Sequence, residues 1–160
     1  MNSTVLYFVV CALLISSLCC CKISNSSKNT SQQLIASIER TPCFGKCPAY
    51  KIDIFENGDV TYFGNNFVDS IGKFTTLFTE KERREILNLF TEAGFTTLPK
   101  ILPDNTPIPT DIPSVIYTLN NDGKTYTVRD YDINRTGRLF KIVAFVEKVL
   151  ETKTLHRRDN

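Results

Sequence analysis

The sequence predicts an α+β domain in which an antiparallel sheet, built from hairpins, carries two helices on one face. Three observations predict it. Around Asn57-Gly58, and again around Asn121-Asp122-Gly123, apolar and polar residues alternate with the two-residue period of a half-buried strand. Two other segments repeat their apolar residues at three and four, the period of a helix face. The order is strands, helix, strands, helix, with hairpins instead of crossover units, which puts helices on one side of an antiparallel sheet.

At 160 residues the chain has room for a leader and one domain. Residues 5–18, VLYFVVCALLISSL, are almost wholly apolar, yet shorter than the ~20 residues a membrane-spanning helix needs. Residues 1–20 therefore read as a signal peptide. Leu18-Cys19-Cys20-Cys21 resembles the bacterial lipobox, a Leu three positions before a Cys. That resemblance implies cleavage just before the cysteine and a diacylglycerol on its thiol. Cys21 fits best, because Leu18 stands at its minus-three position; Cys19 and Cys20 are the alternatives. Each buried methylene contributes about 0.8 kcal/mol, so a multiply acylated cysteine holds a domain stably on a bilayer. The membrane, reached through that lipid, is thus the first expected partner. Residues 21–33, rich in Ser, Asn, Gln and Lys, read as a flexible tether.

The single domain is expected over residues 34–152. Residues 34–39 have weak strand character. Tyr50, Ile52 and Ile54 then alternate with Lys51, Asp53 and Phe55, Asn57-Gly58 turns the chain, and residues 60–63 return. Residues 72–77 are a further strand. Thr79-Glu80-Lys81-Glu82 is a capping box opening a helix. Ile86, Leu87, Leu89, Phe90 and Ala93 form its apolar side, and Gly94 permits the left-handed conformation that ends it. Five of the seven prolines follow, at 99, 103, 107, 109 and 113, and demand an extended connection. Residues 114–119 and 125–129 form a second hairpin. The last helix places Leu139, Ile142, Val143, Val146, Val149 and Leu150 on one stripe, with Lys141, Glu147, Lys148 and Glu151 off it and Asn134 or Thr136 as its cap. Residues 153–160 read as a frayed tail.

Thr41-Pro42-Cys43-Phe44-Gly45-Lys46-Cys47-Pro48-Ala49-Tyr50, followed by Asn57-Gly58-Asp59-Val60-Thr61-Tyr62, Gly64, Gly72 and Thr110-Asp111 with Pro113, resembles a bacterial family of exported domains of unknown function, the one numbered 6438. The resemblance would cover roughly residues 34–152. It implies an envelope location and often a lipoprotein signal, and it carries no activity.

Cys43 and Cys47 are the first candidates for chemistry. An exported chain meets oxidising conditions, and once Cys21 is lipidated they are the only other thiols of the mature chain, so a disulfide bracing the turn is expected. Thiol–disulfide exchange is the alternative, since Lys46 beside Cys47 would favour a thiolate. Against it, three residues separate the pair where the thioredoxin-like motif has two. Residues 96–113 are the candidate contact loop, because connections longer than about 12–15 residues within a compact domain are usually functional or disordered. Asp104, Ile108, Thr110 and Asp111 are its candidate binding residues, with Ile101, Leu102 and Ile112 as apolar anchors. Tyr62, Phe63 and Phe67 offer an aromatic surface to a sugar or peptide, and Asp69-Ser70-Ile71 resembles a bacterial O-glycosylation acceptor.

Other chemistries are excluded or weakened. The 19 Lys and Arg nearly cancel the 17 Asp and Glu, and a net charge of +2 provides no field for nucleic acid. A serine hydrolase needs a base, and the one histidine, His156, lies in the tail. Asp130 to Asn134 begins like a calcium loop, but Arg135 replaces the turn glycine and Lys141 the bidentate glutamate. A four-thiolate zinc site lacks ligands. No metal or cofactor is expected. The sequence thus predicts a non-enzymatic binding or structural module, lipid-anchored in the bacterial envelope at a periplasmic face or the cell surface, with a protein or glycan ligand; a redox protein using Cys43 and Cys47 is the alternative.

Overall fold

The computed structural model describes residues 32–104, 107–108, 111–131 and 137–158. The leader, Cys21, most of the tether, Thr110, Asn134 and Thr136 lie outside the described residues.

Eight strands form one sheet: β1 (Leu34–Arg40), β2 (Ala49–Phe55), β3 (Asp59–Asn66), β4 (Gly72–Leu77), β5 (Ile101–Leu102), β6 (Val115–Asn121), β7 (Lys124–Asp130) and β8 (His156–Arg157). Their spatial order is β5-β7-β6-β1-β2-β3-β4-β8. The weak first strand is central, pairing antiparallel with both β2 and β6 and so joining the two hairpins. Two helices, α1 (Glu80–Glu92) and α2 (Phe140–Glu151), pack on one face. The fold is therefore the expected α+β architecture.

Strand alternation decides what each face carries. Ala36, Ile38, Ile52, Ile54, Val60 and Tyr117 turn toward the helices and are fully or almost fully buried. They meet Ile86 and Phe90 of α1 and Ile142, Val143 and Val146 of α2. On the opposite face the pairing places Thr127, Thr118, Ser37, Asp53, Thr61, Thr75 and His156 in one row across the sheet. A polar row of this kind is what an uncovered sheet face requires.

The capping box forms as expected: Thr79 Oγ1 accepts from the Glu82 N–H at 3.3 Å, and the Thr79 N–H donates to Glu82 Oε2 at 2.7 Å. Gly94, at φ 64°, follows the helix in the left-handed conformation that a side chain resists.

Four expectations need correction. The connection after α1 is not wholly extended, since Phe95–Thr97 makes a 3-10 turn ahead of the prolines, whereas β5 among them is extended as expected and pairs parallel with β7. Pro99 and Pro103 bracket β5 and keep it short, because neither has an N–H to donate to a ladder. The tail is not frayed throughout. His156 and Arg157 pair with Thr75 and Phe74, the Arg158 N–H donates to Lys73 O at 2.9 Å, and the Arg157 guanidinium lies 5.0 Å from the Phe74 ring centre. The stacking supplies the favourable contact that a polar tail lacks by itself. Helix α2 starts after Leu139, which offers no side-chain cap. Finally, Glu147 does not stand clear of the apolar stripe, because it binds residues of the sheet. Among the described residues no helix is long and apolar enough to cross a membrane.

Candidate functional site

The antiparallel order brings the ends of β1, β3 and β7 together with the starts of β2, β4 and β6. The described parts of four connections consequently gather at one end of the sheet: residues 41–48, residues 67–71, residues 103–104, 107–108 and 111–114, and residues 131 and 137–139. The short turns at 56–58 and 122–123 occupy the other end.

Thr41 and Ser114 tie the first of these connections to the third. The Thr41 N–H donates to Ser114 O at 2.9 Å, the Ser114 N–H donates to Thr41 Oγ1 at 2.9 Å, and the two hydroxyls lie 3.0 Å apart. Beyond this lock Cys43 and Cys47 are joined as a disulfide, their Cα atoms 5.7 Å apart. Both are half-buried, and the Gly45 N–H donates to Cys43 Sγ at 3.2 Å. The bridged loop raises Phe44 into solvent, where it is 94% exposed. Exposing a ring this completely leaves its transfer energy unclaimed within the fold.

The second connection places Phe67 at φ 54°, a conformation uncommon for a bulky residue, with 56% of its surface exposed. Gly64, inside β3, allows this loop to fold back. A Cβ there would stand 1.8 Å from Ser70 O.

Beneath the loops Arg40, Tyr50 and Glu147 form a partly buried network. Arg40 Nε donates to Tyr50 Oη at 2.9 Å and to Glu147 Oε1 at 2.8 Å, and the Tyr50 hydroxyl donates to the same Oε1. Burial pushes the Tyr50 hydroxyl far above its usual range, so it stays protonated, and Glu147 reinforces that shift against the opposing Arg40 charge. Burial opposes the charge on Arg40, but Tyr50 and the Glu147 carboxylate outweigh it and raise the pKa of the guanidinium. Tyr62 is likewise raised by burial and then by Asp69 and Glu147, which marks a negative field around its ring.

Two cavities open at this end. The smaller, about 140 Å³, is lined by Arg40, Thr41, Cys47, Ser114, Asp130 and Phe140, among others. The larger, about 370 Å³, is lined by Tyr50, Tyr62, Phe67, Asp69, Glu147 and Glu151, among others. Pro48, next to the disulfide, borders both. The first offers a cation, hydroxyls and a sulfur; the second offers aromatic rings beside carboxylates, a combination suited to hydroxyl- or amino-bearing ligands.

Residues anticipated from sequence fall unevenly here. Cys43 and Cys47 are bonded and border the smaller cavity through Cys47. Asp104 and Asp111 are exposed, Asp111 at φ 65°, and neither lines these two cavities. Ile108 and Ile112 are half-buried, and Ile101 is exposed on β5. Tyr62 belongs to the core, whereas Phe63 and Phe67 face solvent. Asp130, at the head of the calcium-like stretch, is buried at the end of β7, and no metal-binding cluster occurs among the described residues. His156 stands on β8, beside Thr75. Sequence reasoning missed Arg40 and Glu147. The available signal was Arg40 sharing the inward parity of Ala36 and Ile38, a charge that needs a buried partner.

The family model described as Domain of unknown function (DUF6438) matches residues 35–151, from β1 to the end of α2. No curated protein matches the chain. The chain belongs to the DUF6438 family.

Proposed function

We propose that this chain is a binding module of the bacterial envelope, lipid-anchored through Cys21, which engages a glycan or peptide at the loop end of its sheet. The observation that carries the reading is the gathering of four connections and two cavities at that end, with Phe44 and Phe67 presented to solvent. In this reading the Cys43–Cys47 bridge braces the contact loop. Phe67 would stack on the ligand while Asp69 and Glu151 receive its hydroxyl or amino donors. Titration of the mature chain with soluble wall fragments and with basic peptides, followed by NMR, tests this. Shifts confined to residues 41–50 and 67–71, and lost in Phe67→Ala, are expected. Binding that maps elsewhere, or survives loss of both Phe44 and Phe67, refutes it.

A second reading, thiol–disulfide exchange, has its own favouring observation: the bridge is formed, accessible and set at the mouth of a cavity beside Arg40. A substrate thiolate would attack one bridge sulfur, releasing the other as a thiolate. A second substrate thiol would then resolve the mixed disulfide, leaving the substrate oxidised and Cys43 and Cys47 reduced. A reduction potential above about −250 mV and a mixed disulfide trapped by Cys47→Ser or Cys43→Ser would support this chemistry; a potential below about −300 mV, the range of structural bridges, would remove it.

A further inference from the structure

We propose that the groove along the β4 and β8 border docks onto the anionic phosphate headgroups of the leaflet that anchors the chain, so that this border of the sheet faces the membrane and the β5 border faces away. This rests on the reading of Cys21 as lipidated. The groove, about 880 Å³, runs along this border from Asp59 and Leu77 to Lys73, next to the 67–71 connection, and its lining includes Lys73, His156, Arg157 and Arg158 with the hydroxyls of Thr75 and Thr154. Its one carboxylate, Asp59, already accepts hydrogen bonds from Gln32 Nε2 and Asn57 Nδ2. Lys73, Arg157 and Arg158 form no ion pair among the described residues.

These cations are held by the fold. Arg157 lies over the Phe74 ring and donates to Ile71 O at 3.3 Å, while Arg158 Nε donates to Thr75 Oγ1 at 3.4 Å. Guanidinium forks and an ammonium group on one border match phosphate oxygens. Leu77, 64% exposed, adds an apolar contact at the same groove.

The path of the chain supplies the second argument. Gln32, where the described structure begins, lines this groove. Cys21 precedes it by eleven positions, which a chain spans over at most about 40 Å. From there β1 carries the chain away for seven residues, roughly 23 Å at strand rise, before reaching Arg40 at the loop end. A chain that enters the same groove keeps its cations within reach of headgroups, while the β5 border, at the far side of the eight-stranded sheet, stays remote.

The test uses the full lipidated chain in vesicles of phosphatidylcholine alone or mixed with phosphatidylglycerol. A dye is placed at Leu77→Cys in the groove or at Ile101→Cys on the opposite border of the sheet, and a headgroup-borne quencher reports proximity. Severalfold stronger quenching at position 77 than at 101, only in the anionic vesicles, is expected; high salt or Lys73→Glu with Arg158→Glu should level the two. Lys73→Gln with Arg158→Gln, which should retain the Cys43–Cys47 bridge and native circular dichroism, should weaken the preference in the same direction. Equal quenching at both sites, or a preference indifferent to salt and charge, overturns the docking surface. Mass analysis of residue 21 separates the two claims. A modified Cys21 without the quenching preference leaves the anchor standing and removes the groove, whereas an unmodified residue removes the anchor and with it this choice of occupant.

Discussion

Replacing Glu147 by Gln preserves the size of the side chain and removes its charge from beneath the loop end. The Arg40 side chain is 15% exposed and that of Glu147 33% exposed, so water compensates the loss only in part. Two charge-assisted bonds end on Glu147 Oε1, from Arg40 and from Tyr50. An amide oxygen still accepts both but forfeits the ionic contribution, about 1 kcal/mol each. Discounted for the exposed third of Glu147, the cost of Glu147→Gln is about 1.5 kcal/mol. In urea that corresponds to a midpoint lowered by about 0.7–1 M with an unchanged slope. Tyr50→Phe should cost about 1 kcal/mol, and because the two changes share an oxygen, the double variant should lose less than their sum. A Glu147→Gln midpoint equal to that of the parent, or strict additivity with Tyr50→Phe, would refute the claim that this network supports the loops.

Gly64→Ala should be far more damaging, since its Cβ would collide with the backbone of Ser70 at 1.8 Å; a loss of about 3 kcal/mol or more is expected in the same assay, read as failure to give a cooperative transition. Removing the bridge with paired Cys43→Ser and Cys47→Ser should cost about 2 kcal/mol, the small value expected when so few residues are closed into a loop, and denaturation in urea with and without reductant checks it. Burial works against the charge on Glu82, but Lys153 and Thr79 outweigh it and hold the carboxyl below its ordinary range. A carboxyl depressed on folding contributes stability above its unfolded pKa and surrenders it as pH falls through the folded value. Stability should therefore decline as the solution is acidified below the ordinary glutamate range, and Lys153→Gln should flatten that decline in denaturant titrations at successive pH.

The hairpins were legible because their signals are local. Gly58 in the first turn, and Asp122 and Gly123 in the second, take the positive φ that such turns require, and the residues around them alternate. Both helices announced themselves in the same way, through Thr79 with Glu82 and through the spacing from Ile142 to Val149. What escaped is non-local. Nothing in Ile101-Leu102 or His156-Arg157 distinguishes them from loop residues, because their pairing depends on the sheet edges that β7 and β4 happen to present. The bridge at Cys43 and Cys47 was readable from cysteine arithmetic. The network under it was not, since Arg40 and Glu147 are 107 residues apart and meet only once α2 lies on the sheet. For the same reason the proline-rich connection drew attention to Asp104 and Asp111, although the cavities are walled by other residues, from the 41–48 and 67–71 connections, the strands and α2.

Both borders of the sheet end in strands of two residues, one flanked by Pro99 and Pro103 and the other made of His156 and Arg157. A long bare rim of unpaired amides invites a neighbouring molecule to add itself as the next ribbon. Each two-residue strand covers only part of its neighbour, Arg129 and Asp130 of β7 and Phe74 and Thr75 of β4, so residues 124–128 of β7 keep an outer rim with no described strand beside it, guarded by Lys124 at its start. Where copies are crowded side by side, that bare stretch of β7 is accordingly the place at which lateral zipping would begin.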